Sequence, residues 1–116
     1  MAIMVVTAAP QALLTAVRKG IDDGTIDTWI YDGDGDFTHV TPDKQWEGKA
    51  WLRPSLQQGV LFFGLLGQQN AQMTKPVYGM FHGRFIAMLL THFDTMFDTA
   101  TATANATGNL DLFKFK

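Results

Sequence analysis

The segment Asp32-Gly-Asp-Gly-Asp36 constrains this chain more than any other. It separates two short β-forming runs, Ile26 to Tyr31 and Phe37 to Val40, and Asp-Gly steps between such runs specify a tight hairpin. Glycine accepts the positive φ that these turns demand, and the short aspartate side chain bonds its own backbone. A hairpin here fixes the pairing of the flanking strands and makes an antiparallel sheet the natural core. Pro42-Asp43 ends the second run. Lys49 to Arg53, closed by Pro54, reads as a third strand, and Gln58 to Leu66 as a fourth and more buried one.

Helices are expected on either side. In residues 10–22, Leu13, Leu14, Val17 and Ile21 recur at helical spacing. Pro10 suits the first turn, Thr7 is a cap upstream, and Gly24 is a stop signal. Val77 to Asp98 gives the strongest pattern. Arg84, Ala87, Thr91, Asp94, Thr95 and Asp98 fall on one narrow polar stripe, with Tyr78, Phe81, Phe85, Met88, Leu89, Phe93, Met96 and Phe97 spread over a wide opposite arc. So broad an apolar face implies packing on more than one side. The expected architecture is α+β: an N-terminal helix, a four-stranded antiparallel meander and a long C-terminal helix (α-β-β-β-β-α). Residues 1–98 form a single domain in this reading. Residues 99–116 form a low-complexity linker and tail, in which Leu110 to Lys116 is compatible with one extra terminal strand or with docking on a neighbour.

With 116 residues, 47% of them hydrophobic, the chain is long enough for one core. The absence of cysteine excludes disulfides, thiolate metal sites and cysteine nucleophiles. A net charge of −2 argues against a dedicated nucleic-acid surface, although Trp46 and Trp51 lie among Lys44, Lys49 and Arg53. No membrane partner is expected, since the longest apolar run, Val60 to Leu66, is far short of the ~20 residues of a spanning helix. The apolar run Met1 to Ala9 has no basic flank, so no secretory signal is read and a cytoplasmic location is expected.

Six of the eleven acidic residues lie between Asp22 and Asp36. Asp32, Asp34 and Asp36 occupy positions 1, 3 and 5 of a loop, a spacing at which carboxylates converge on a hard cation. The EF-hand pattern then fails, with Phe37 at position 6, Asp43 at position 12 and Pro42 before it. Asp32, Asp34 and Asp36, with His39 added, are therefore the metal or small-molecule candidates. The competing reading is a solvated hairpin turn. The proximity of acids also suggests a raised pKa for His39. His82 and His92, about 80° apart on a helical wheel, cannot share an ion unaided, and each reads as a hydrogen-bonded core histidine. Ser55, the sole serine, follows Pro54 and makes a poor nucleophile. No catalytic constellation is found and no cofactor is expected.

Three segments, Asp27-Thr-Trp-Ile-Tyr-Asp-Gly-Asp-Gly-Asp-Phe-Thr-His39, Lys49-Ala-Trp-Leu-Arg-Pro54 and Tyr78-Gly-Met-Phe-His-Gly-Arg-Phe85, resemble small uncharacterised proteobacterial proteins. That resemblance implies a bacterial cytosolic origin and carries no activity with it. The resulting expectation is a non-enzymatic protein-interaction module acting on a protein partner or on itself as a homodimer, with Trp29, Trp51, Phe81, Phe85 and Phe93 as contact residues. The alternative is a metal-ion or small-molecule binder built on the acidic hairpin.

Overall fold

The computed structural model describes residues 3–104. The elements run β1 (Ile3–Val6), α1 (Pro10–Asp22), β2 (Trp29–Tyr31), β3 (Phe37–His39), β4 (Ala50–Gln57), β5 (Val60–Gly67), α2 (Lys75–His92) and β6 (Thr99–Ala102). All six strands form one antiparallel sheet in the order β2-β3-β4-β5-β1-β6. The α+β class follows the expectation; the four-stranded meander and the leading helix are corrected to a six-stranded sheet that opens with a strand. The first element is a strand, and it inserts between β5 and the last strand.

Both additions have physical reasons. Ile3 and Val5 of β1 are buried beneath the helices while Met4 and Val6 point the other way, so the run carries no polar alternation. Because the residues facing the uncovered side are apolar as well, the strand reads as a plain apolar stretch. Thr99 to Ala102, expected to open a linker, is the edge strand β6, with Ala102 opposite Ile3 and Ala100 opposite Val5. Its small side chains suppress the hydrophobic signal that normally marks a strand. The expected extra strand at Leu110 to Lys116 lies outside the described residues.

The sheet has two unlike faces because side chains alternate along each strand. On one face the register brings together Trp29, Phe37, Leu52, Leu65, Phe63, Leu61, Val5 and Ile3, all buried. Both helices cover this face. Phe85 of α2 lies with its ring centroid 4.6 Å from Phe63 and 4.9 Å from Trp29. The Arg18 guanidinium of α1 sits 5.7 Å from the Tyr31 ring centroid. The other face carries Met4, Val6, Trp51, Phe62 and Leu66, each partly exposed, and Ile30, which is 46% exposed. Among the described residues no helix covers it.

Pro54 lies inside β4 rather than at its end. The two-residue loop Gln58-Gly59 makes Gln57 and Val60 the closing hydrogen-bonded pair, which puts Pro54 at a position that owes β5 no N–H. On its other side β3 begins only at Phe37, opposite Leu52, so no ladder bond is lost there either. The helix α2 ends at His92, six residues before the expected limit. Continuing it would place Asp94 and Asp98 at a helix C-terminus, against the dipole. Instead Thr7 donates its hydroxyl to the Met96 carbonyl and Asp98 donates its N–H to Val6, tying the turn to the end of β1. Thr7 is thus a tether between chain ends; it accepts from the Ala9 N–H but does not cap the α1 backbone beyond it.

Candidate functional site

The hairpin turn is built around Asp32. Its Oδ1 accepts the backbone N–H groups of Asp34 and Asp36 at 3.0 Å each, and Gly35 takes φ 84°. This folds three carboxylates inward, so that one oxygen from each of Asp32, Asp34 and Asp36 lies within 4.8 Å of the others. The spacing of the sequence does bring the trio together. Two of the three are already engaged, however. Asp36 is buried and forms a two-pronged pair with Arg53, Nε–Oδ1 at 3.0 Å and Nη2–Oδ2 at 2.9 Å. The charges of all three aspartates raise the Arg53 pKa, with its hydrogen bond to Asp36 the largest cause. Arg53 is in effect the resident cation of the loop. Sequence inspection gave no hint of it, because its partner lies seventeen residues away and only strand register unites them.

His39 does not join the aspartates. It lies three residues beyond Asp36 and therefore on the opposite face of the sheet, buried under α2. Nδ1 lies 2.8 Å from the Thr28 carbonyl and Nε2 lies 3.0 Å from Arg84 Nη1. A carbonyl accepts only, so Nδ1 carries the proton and Nε2 accepts from the guanidinium. Burial pushes the His39 pKa down, outweighing the Thr28 bond, and the nearby Arg84 charge acts in the same direction. The expected rise is therefore reversed.

The remaining histidines divide. His82 is buried, stacks on Tyr78 at 3.9 Å between ring centroids and places Nδ1 2.6 Å from the Tyr78 carbonyl, the hydrogen-bonded core residue expected. His92, expected in the core, is exposed at the end of α2. It borders a cavity of about 360 Å³ between α2 and the β2–β3 hairpin, which it shares with one acid, Asp27.

Of the five contact candidates, Trp29, Phe81 and Phe85 are fully enclosed in the core and offer nothing to a partner. They pack on one another edge to face, Trp29 to Phe81 at 5.7 Å and Trp29 to Phe85 at 4.9 Å. The wide apolar arc of α2 is satisfied by the sheet it covers. Phe93 is partly buried beside Gly20 of α1. Only Trp51 belongs to the uncovered sheet face. With Leu66, Asp32, Asp36 and residues 67–71 it lines a cleft of about 590 Å³. Met4, Val6 and Phe62 continue the apolar row toward β1. None of these was singled out from sequence, since each lies in a strand whose inward neighbours are equally apolar.

No family model matches the chain, and no curated protein or solved structure matches it significantly. Among the described residues, no helix is long and apolar enough to cross a membrane.

Proposed function

We propose that this protein is a non-enzymatic interaction module whose uncovered sheet face receives another protein, a second copy of the chain being the first occupant to test. One observation carries the reading: six strands are covered by helices on one side, while the other side presents Met4, Val6, Trp51, Phe62, Leu66 and Ile30 with no described helix above them. Solvated sheet faces normally alternate to polar residues, and a contiguous apolar patch rimmed by charge marks a contact surface. The rim is present here, with Asp36–Arg53 and the exposed Asp32 and Asp34 at one end. The non-enzymatic part of the reading draws on the chemistry at hand. Ser55 lies opposite Phe62 on the uncovered face, while His39 and His82 are buried on the side that the helices cover.

The test is light scattering and sedimentation across a wide concentration range, on wild type and Phe62→Ser. The reading expects a reversible dimer in the wild type that the substitution weakens, with only a small shift in the thermal transition of the dilute protein. A strict monomer at every concentration, whose uncovered face also labels fully with a surface-modifying reagent in lysate, would sink it.

A second reading, cation binding at the acidic loop, draws on the 4.8 Å convergence of Asp32, Asp34 and Asp36. It requires an ion to compete with Arg53. Calcium, magnesium and manganese titrations followed by NMR decide it, and unmoved hairpin signals would end it.

A further inference from the structure

We propose that the cavity between α2 and the β2–β3 hairpin binds a small organic monocarboxylate, with Arg84 as its anchor. The argument begins with how Arg84 is held. Nη1 donates to His39 Nε2 at 3.0 Å, and Cζ lies 5.7 Å from the Trp46 ring centroid. Neither partner is an anion. The Thr28 carbonyl fixes the Nδ1–H tautomer and Nε2 accepts from the guanidinium, so His39 orients Arg84 without cancelling its charge. Arg84 makes no ion pair with any described residue, in contrast to Arg53. A guanidinium carries five N–H donors in a planar fork suited to two-pronged carboxylate binding, and only one is committed here. The guanidinium is thus oriented by His39 and Trp46 and has no ion-pair partner, although the Asp43 carboxylate lies near enough to feel its charge.

The cavity supplies the rest. At about 360 Å³ it falls in the range of small-ligand sites, and Ile26, Trp29 and Met88 give it an apolar wall. Thr41 and Thr91 also line it, but their hydroxyl protons go to Asp43 and to the Ala87 carbonyl; Thr25 and His92 are further side-chain donors in the lining, and Arg84 is its one arginine or lysine. Asp27 is the one carboxylate in the lining. Its charge disfavours a dianion such as phosphate and leaves room for a singly charged ligand. An acid with a short apolar body meets all of these conditions.

The experiment is an NMR titration of the isotopically labelled full chain with butyrate, and with inorganic phosphate in parallel. Saturable shifts of the Thr28, Thr91 and Trp29 indole signals by butyrate are expected, with phosphate weaker. Arg84→Gln should weaken butyrate binding about tenfold or more, the loss of one charge-assisted hydrogen-bonded pair. Arg84 is exposed, so this variant should keep the native spectrum elsewhere. Asp27→Asn should bring phosphate binding up toward that of butyrate. Shifts that never saturate, or a butyrate response unchanged in a folded Arg84→Gln protein, would overturn the site. Phosphate binding as tightly as butyrate in the wild type would overturn its preference for a monocarboxylate.

Discussion

Phe62 and Phe85 provide one residue type on two sides of the same sheet, and truncating each to alanine separates the covered face from the open one. Phe85 is fully buried, with ring centroids of Phe63, Trp29 and Phe37 at 4.6, 4.9 and 5.7 Å. Phenylalanine-to-alanine changes in a core cost about 3–5 kcal/mol. Aromatic pairs add ~0.5–1.5 kcal/mol each beyond their area, so the upper part of that range is expected. Against a domain stability of about 5–15 kcal/mol this is a third or more of the whole. Phe62 is partly exposed on the face that no described helix covers, and its truncation should cost the isolated protein about 1 kcal/mol or less. Urea unfolding at two protein concentrations measures both. If the open face pairs with a second copy, wild-type stability rises with concentration and Phe62→Ala removes that rise. Phe85→Ala should lower stability equally at both concentrations. A Phe85 cost near zero would refute the packing of α2 on the sheet. A Phe62 cost equal to that of Phe85 at high dilution would refute the open face.

His39 makes stability depend on pH. Its folded pKa lies below the ordinary value of 6.5 because of burial, so the unfolded chain binds the proton first. Stability is then full above about pH 6.5 and falls as pH drops toward the folded pKa, at up to ~1.4 kcal/mol per pH unit. His39→Gln should flatten that slope in pH-dependent urea melts; an unchanged slope would assign it to other groups. Gly35→Ala should destabilise the hairpin by about 1 kcal/mol or more in the same assay, because Gly35 sits at φ 84° and a Cβ there would meet Arg18 Nη2 at 2.9 Å. Arg53→Gln should leave the buried Asp36 carboxylate without its partner, costing ~1–3 kcal/mol, and should raise any affinity of the loop for calcium by vacating the cationic position. Equal calcium response in wild type and variant would show that Arg53 does not compete.

The hairpin and α1 were readable because each announces itself locally, through Asp-Gly steps or through Leu13, Leu14 and Val17 at helical spacing. What escaped was set by partners distant in the chain. β1 has no alternation to betray it, since Met4 and Val6 on the open face are as apolar as the buried Ile3 and Val5. β6 is made of alanine and threonine, sufficient for an edge strand opposite Ile3 and Val5 but indistinguishable in composition from a linker. The candidate sites divided in the same way. The convergence of Asp32, Asp34 and Asp36 is a property of five consecutive residues and was legible. The separation of His39 from them follows from strand parity, which becomes decisive only once the sheet has two unlike faces.

That asymmetry also reassigns the aromatic residues. Counted along the sequence, the aromatics of α2 and of the strands form a single excess of apolar surface. In the folded chain they form two sets with different roles. Trp29, Phe37, Phe63, Phe81 and Phe85 close on one another beneath the helices and are consumed by the fold. Trp51 and Phe62 lie across the sheet from them and are not. Since β1 and β6 widen the sheet on both of its faces while the two helices cover only one, every added strand enlarges the uncovered face as well. The same two strands that sequence reading missed therefore extend the surface on which an interaction role depends, and deleting β6 would test that directly. β6 brings Thr99 and Thr101 beside Val6 and Met4, so its loss should bare the edge of β1 and loosen the apolar row there, while the cavity at Arg84, at the far edge near β2, should keep its response to butyrate.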